Sequence, residues 1–318
     1  MDKKSVSLVL GSGGAKGLAH IGVIRWLEEN NLHIASVSGS SIGALVGGIY
    51  AAGKLDEFEQ WVRAIKKADM VNLLDIAWDK SGLIKGDRII NALVELVGEQ
   101  NIEDLPIPFT AVASDIMGER EVWLNSGRLF DAIRASISLP LFFTPFELHG
   151  TPLIDGGVLN PVPIAPTFSD RTDITIAVNL GGAVYVDGGG FGHELAHEVE
   201  QKTVALKQPD SPALHEKITQ FFKGLQKSSE EMPKMDISAY DVANQAFDAM
   251  QSTIARQKLA AYPPDLEVEI ARNACGTLEF NRAEEMISLG YLTADKSLRS
   301  LRLADDQTIV IPGGHEIY

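Results

Sequence analysis

Ser41 stands between two glycines in Gly39-Ser40-Ser41-Ile42-Gly43, a G-x-S-x-G arrangement where a strand pattern gives way to a helix pattern. That spacing suits an acyl-transfer nucleophile. A sharp strand-to-helix turn exposes the hydroxyl, and Gly39 and Gly43 remove Cβ atoms that would collide. The helix that follows turns its positive end toward a developing oxyanion. The bare motif is common by chance, and a glycine-rich turn whose serine caps a helix is written with the same letters. Its neighbours have to decide.

A serine hydroxyl needs a base. Histidine is the usual one, yet His20 and His33 fall in or just after the first helix pattern, His149 adjoins Gly150 in a turn, and His315 lies in the tail. None follows a strand end as a triad histidine does. Asp155 does, in Pro152-Leu153-Ile154-Asp155-Gly156-Gly157: an apolar strand end, a carboxylate, then two permissive glycines. A carboxylate near Ser41 Oγ can take its proton directly. Taken alone, Asp155 reads more plainly as a capping aspartate in a turn. A second glycine loop, Gly11-Ser12-Gly13-Gly14-Ala15-Lys16-Gly17, follows the first strand and opens a helix. Its free amides suit a phosphate or an oxyanion. Lys16 stands where a dinucleotide fingerprint needs glycine, and Lys16-Gly17-Leu18 reverses the order a P-loop requires, so both nucleotide readings fail.

The elements that must position these residues alternate. Strands are expected at 6–10, ending at 36–38, and at 109–114 and 174–180; helices are expected over 16–30 and 42–53, with Gly53 as a stop. Such alternation predicts an α/β fold with a mostly parallel sheet and helices on both faces, whose ligands collect at the carboxyl ends of the strands. Composition changes at Gly188-Gly189-Gly190, and a polar, helical stretch broken by Pro209, Pro212 and Pro233 follows. Three regions are expected: a catalytic core over 1–187, a helical insertion or cap over 188–262, and a return to the core over 263–318. That return comprises a strand at 266–270 and helices around 282–289 and 294–301.

Together the sites resemble the patatin-like phospholipase family, in which a glycine-rich loop, G-x-S-x-G and D-G-G or D-G-A follow one another in that order. Here they are Gly13-Gly14-Ala15-Lys16-Gly17, Gly39 to Gly43 and Asp155-Gly156-Gly157. Arg134 to Pro140 and Asn160-Pro161-Val162-Pro163 extend the likeness, which spans about residues 5 to 180 and is nearest the bacterial branch related to neuropathy-target-esterase catalytic domains. The resemblance implies a three-layer α/β/α fold and a Ser–Asp dyad that hydrolyses lipid acyl esters without a cofactor. It makes Ser41 the nucleophile, Asp155 the base, and the amides of Gly13, Gly14 and Ala15 the oxyanion hole. Ser12 departs from the third glycine of many members.

Other features compete. His193-Glu194-Leu195-Ala196-His197 is an H-E-x-x-H, which on a helix sets two imidazoles one turn apart for zinc, with Glu216 as a third ligand. It begins two residues after a glycine run and precedes a lysine- and proline-interrupted segment, where a solvated helix face is the plainer account. Ile218, Phe221, Phe222 and Leu225 share one helical face opposite lysines, as in a shallow membrane-docking helix or one covering a core. A third reading is a non-catalytic regulatory module. The formal charge of −15 disfavours nucleic acid and, on average, an anionic membrane surface. A lone Cys275 excludes an internal disulfide, no apolar run reaches the length of a membrane span, and only six residues separate Lys4 from Gly11, so a soluble cytoplasmic protein, peripheral to membranes at most, is expected.

Overall fold

The computed structural model describes residues 3–65, 85–184 and 237–303. Eight strands in these residues form one mixed sheet: β1 (Ser5–Leu10), β2 (His33–Ser40), β3 (Phe109–Asp115), β4 (Arg120–Leu124), β5 (Phe146–Leu148), β6 (Thr151–Asp155), β7 (Ile174–Gly182) and β8 (Leu266–Ala271). Hydrogen bonding orders them β5-β6-β3-β2-β1-β7-β8, with β4 also paired to β3. The run from β3 through β8 is parallel; β4, β5 and β6 join antiparallel.

The central strands are buried on both faces because both faces are covered, even where β2 carries Ser36, Ser38 and Ser40. On β1, Val6, Leu8 and Leu10 enter the main core while Val9 enters a smaller cluster; on β7, Ile176, Val178 and Leu180 divide from Ala177 in the same way. The main core also takes buried residues from α1 (Ala19–Glu29), α2 (Ile42–Ala51), α3 (Leu55–Ala64), α4 (Asp87–Val97) and α5 (Leu129–Ser136). The opposite face is covered by α6 (Ile237–Ala261), whose Ala255 packs with Val9, Val162, Ile164 and Ala177. The result is a three-layer α/β/α arrangement.

Two expected elements differ. The first helix pattern, over 16–30, is a 3-10 turn (Gly14–Leu18) followed by α1. The two helices expected around 282–289 and 294–301 form one continuous helix, α7 (Ala283–Ser297), followed by the short α8 (Arg299–Leu303). Gly290 lies inside α7: a Cβ there would lie 1.9 Å from the Ala19 carbonyl oxygen of α1, so the glycine admits a close helix crossing. The H-E-x-x-H at 193–197 and the amphipathic stretch 215–225 lie outside the described residues.

Candidate active site

Register in the sheet explains why Ser41 and Asp155 meet, though 114 residues separate them. Ala111 and Val112 of β3 pair with Gly39 and Ser40 of β2, while Ala113 to Asp115 pair with Asp155 to Leu153 of β6. β4 pairs with all of Ala111 to Asp115. A strand has two edges, so β2 and β6 must share the edge opposite β4, running toward each other. Their carboxyl ends meet between Val112 and Ala113, Ser41 following one and Asp155 closing the other.

Backbone geometry fixes both side chains. Ser41 adopts φ 55° and ψ −123°, a left-handed, sparsely populated conformation of the kind that exposes a nucleophile, and it is the N-cap of α2. The turn is tight enough that a Cβ on Gly43 would lie 2.1 Å from the Leu10 carbonyl oxygen, and one on Gly39 would lie 2.4 Å from the Gly43 oxygen. Gly156 is equally constrained, because its added Cβ would come within 2.0 Å of Val112 O. The glycines of both motifs are thus required by close backbone approach.

The Ser41 hydroxyl donates to Asp155 Oδ2 at 2.5 Å, and Asp155 Oδ1 accepts the Gly157 amide at 2.7 Å. Asp155 is fully buried. Desolvation pushes its carboxyl up to about 7, against the partial offset of those two hydrogen bonds. Of the described histidines, His20 is buried with Nε2 2.8 Å from the Gly11 carbonyl oxygen, His33 opens β2 in an exposed position, and His149 sits between β5 and β6 with φ 50°. None of them hydrogen-bonds Ser41.

In the glycine loop, the Ala15 amide donates to the Thr277 carbonyl at 2.8 Å. A committed N–H is no free donor, which sets Ala15 apart from Gly13 and Gly14. Among the described residues the amides of Gly13 and Gly14 have no protein acceptor. Gly14, with φ 59°, borders a cavity of about 110 Å³ that Ser41 also lines. Its walls include Leu45, Phe58, Trp61, Leu93, Phe142 and Phe143, and among the described residues Ser41 and Thr277 supply its only hydroxyls. The space is several times what one water needs. No group of three or more His, Cys, Asp or Glu side chains among the described residues is arranged to hold a metal.

Three residues that touch this site carried no role in the motif reading. Ser136 Oγ accepts the Ser41 amide, the Ser138 carbonyl accepts the Asp155 amide, and Thr277 holds the glycine loop. The only sequence signal for the serines was the Arg134-to-Pro140 likeness.

The family model for patatin-like phospholipases matches residues 8–168. An NTE family protein of Mycobacterium tuberculosis is 37% identical over 339 aligned residues, covering 95% of this chain and 94% of that protein. Lysophospholipase NTE1 of Coccidioides immitis is 28% identical over 307 residues, covering 94% of this chain but only 18% of its own length. Among solved structures, VipD of Legionella pneumophila superposes with a TM-score of 0.42 at 15% identity, over 94% of this chain and 67% of that one. Matched by that family model over half its length, and by an NTE family protein over nearly all of it, the chain belongs to the patatin-like phospholipase family and is a lipid-ester hydrolase of its NTE branch.

Proposed function

We propose that the chain hydrolyses acyl esters of phospholipid or lysophospholipid through a Ser41–Asp155 dyad. The observation that carries the reading is the 2.5 Å hydrogen bond from the serine hydroxyl to a buried carboxylate, beside an apolar cavity. The acyl chain lies in the cavity, which brings its ester carbonyl to Ser41 Oγ. Asp155 accepts the hydroxyl proton as the oxygen attacks, and the amides of Gly13 and Gly14 receive the oxyanion. Collapse transfers the proton from Asp155 to the departing alkoxide, which leaves as the alcohol. Water then repeats the sequence on the acyl-enzyme: Asp155 takes its proton, the fatty acid departs, and Ser41 regains its hydrogen. Losing one oxyanion donor from such a site costs on the order of 10²- to 10³-fold in rate.

The test is turnover of lysophosphatidylcholine, phosphatidylcholine and nitrophenyl esters by the purified chain. Activity is expected to disappear in Ser41→Ala and in Asp155→Asn and to persist with a metal chelator. A Ser41→Ala protein that still turns over would refute the dyad; loss to the chelator alone would favour zinc at His193 and His197. No helix among the described residues is long and apolar enough to cross a membrane, so lipid is proposed to reach the cavity from a peripheral encounter.

A further inference from the structure

Ser41 is held in its left-handed conformation by a partner outside the dyad. Its amide donates to Ser136 Oγ at 2.9 Å, and the Ser136 hydroxyl donates to the Val112 carbonyl at 2.6 Å. Val112 is where β2 stops on the edge of β3, next to the start of the β6 pairing. Ser136 therefore ties the nucleophile's backbone to the strand both carboxyl ends abut. Two residues on, the Ser138 carbonyl accepts the Asp155 amide at 3.0 Å. One short segment at the end of α5 thus grips both halves of the dyad by their main chain.

That segment is itself clamped. Arg134 Nη1 donates to Ser138 Oγ at 2.6 Å, and the Ser138 hydroxyl donates back to the Arg134 carbonyl at 2.8 Å. The rest of the guanidinium donates to the carbonyls of Lys85 and Thr144 at 3.1 Å each, and its carbon lies 5.5 Å from the ring centroid of Phe143. Arg134 is 4% exposed, and Ser136 and Ser138 are fully buried. A buried guanidinium whose donors are spent on carbonyls and a hydroxyl fixes geometry in a way a lysine ammonium cannot. None of these groups touches the reacting oxygens.

We propose that Ser136 and Ser138, clamped by Arg134, are positioning residues that hold the Ser41 and Asp155 side chains at reacting distance; this rests on the dyad reading. Misplacement of a reacting group by about 1 Å costs on the order of 10²-fold in rate. The experiment compares Ser136→Ala, Arg134→Lys, Ser41→Ala and a control, Thr293→Ala, which deletes an equally buried hydroxyl that donates to Leu289 O on α7. For each, kcat and KM are measured on a nitrophenyl ester, with competent sites counted by an irreversible phosphonate ester and folding followed by thermal midpoint. The expected result is a kcat per competent site lower by roughly 10²-fold in Ser136→Ala, a clear fall in Arg134→Lys, KM unchanged in both, and Thr293→Ala like the parent. Should Ser136→Ala fail to fold, Arg134→Lys decides by the same split. Full kcat per site in the foldable variants, or an equal fall in Thr293→Ala, overturns the positioning role while an inactive Ser41→Ala leaves the dyad standing. An active Ser41→Ala would instead sink the dyad reading beneath it.

Discussion

Replacing Asp155 by Asn should abolish turnover and make the protein more stable, by an amount that depends on pH. Asparagine fits the site: its oxygen can keep the Gly157 amide, and its NH₂ can donate to Ser41 Oγ where the carboxylate accepted. The carboxyl moves from an ordinary 3.8 to about 7 in the folded chain, because burial disfavours its charge. Between those values the folded state binds more protons than the unfolded state, so stability falls as pH rises from about 4 to 7 and then levels off. A shift of about 3 units at 1.36 kcal/mol per unit is on the order of 4 kcal/mol.

That penalty is absent in Asp155→Asn. The variant's advantage over the parent should be about 3 kcal/mol larger at about pH 8 than at about pH 4.5. Denaturant unfolding of both proteins at the two pH values measures it, and titrations common to both chains, His20 among them, cancel in the difference. On the proposed dyad, the same ionisation governs rate. With an apparent pKa of about 7, only about 1% of Asp155 is ionised at pH 5, so kcat/KM there should be about a hundredth of its alkaline plateau. A stability difference that is the same at both pH values, together with a flat rate profile between them, would show that Asp155 is solvated and that the reasoning from burial is wrong.

Gly43→Ala puts a methyl 2.1 Å from the Leu10 carbonyl oxygen, with only backbone to give way, so the loss should far exceed the roughly 1 kcal/mol of an average substitution. Gly53→Ala, at φ 68° with open space around it, should cost only about 1–2 kcal/mol; denaturant midpoints of the two variants check the contrast. Trp61, nearly buried, walls the cavity and stacks on Phe58 at 6.0 Å between ring centroids. Trp61→Ala should lower stability by about 3–5 kcal/mol and move the preferred acyl chain to greater length, read from a series of nitrophenyl esters; an unchanged preference would exclude this wall from chain recognition. His20 is pulled down to about 4 by burial, so the stability from keeping it neutral is complete above about 6.5 and lost as pH falls through 4. His20→Gln should flatten the acid-side slope of stability between those values.

The sequence made local features legible and left non-local ones dark. Strand and helix placements came from β-branched runs and glycine stops that act within a few residues, and Gly53, with φ 68°, does end its helix as read. Between the two helices expected around 282–289 and 294–301, Gly290 keeps the helix continuous while its missing Cβ admits α1, a contact across more than 260 residues that no periodicity records. Ala15 was counted among the oxyanion donors through the family resemblance, and only the fold brings the Thr277 carbonyl to its amide. The proposed dyad was legible as two candidate residues. What joins them, one edge of β3 shared by two strands of opposite direction, is register, and register is set by pairing between distant segments.

In the proposed dyad, that shared edge also lets a carboxylate do the work usually given to a histidine. An imidazole serves as a base because its ordinary pKa, about 6.5, lies near working pH; a solvated aspartate, near 3.9, is too weak to draw a proton from a hydroxyl. At the junction of β2 and β6 the carboxylate of Asp155 is sealed from water, held by the Gly157 amide and the Ser41 hydroxyl, and pushed up to about 7. Burial gives the carboxylate the basicity of an imidazole. The stability lost to that desolvation and the basicity gained are one free energy, which is why Asp155→Asn is expected to recover the first only by surrendering the second.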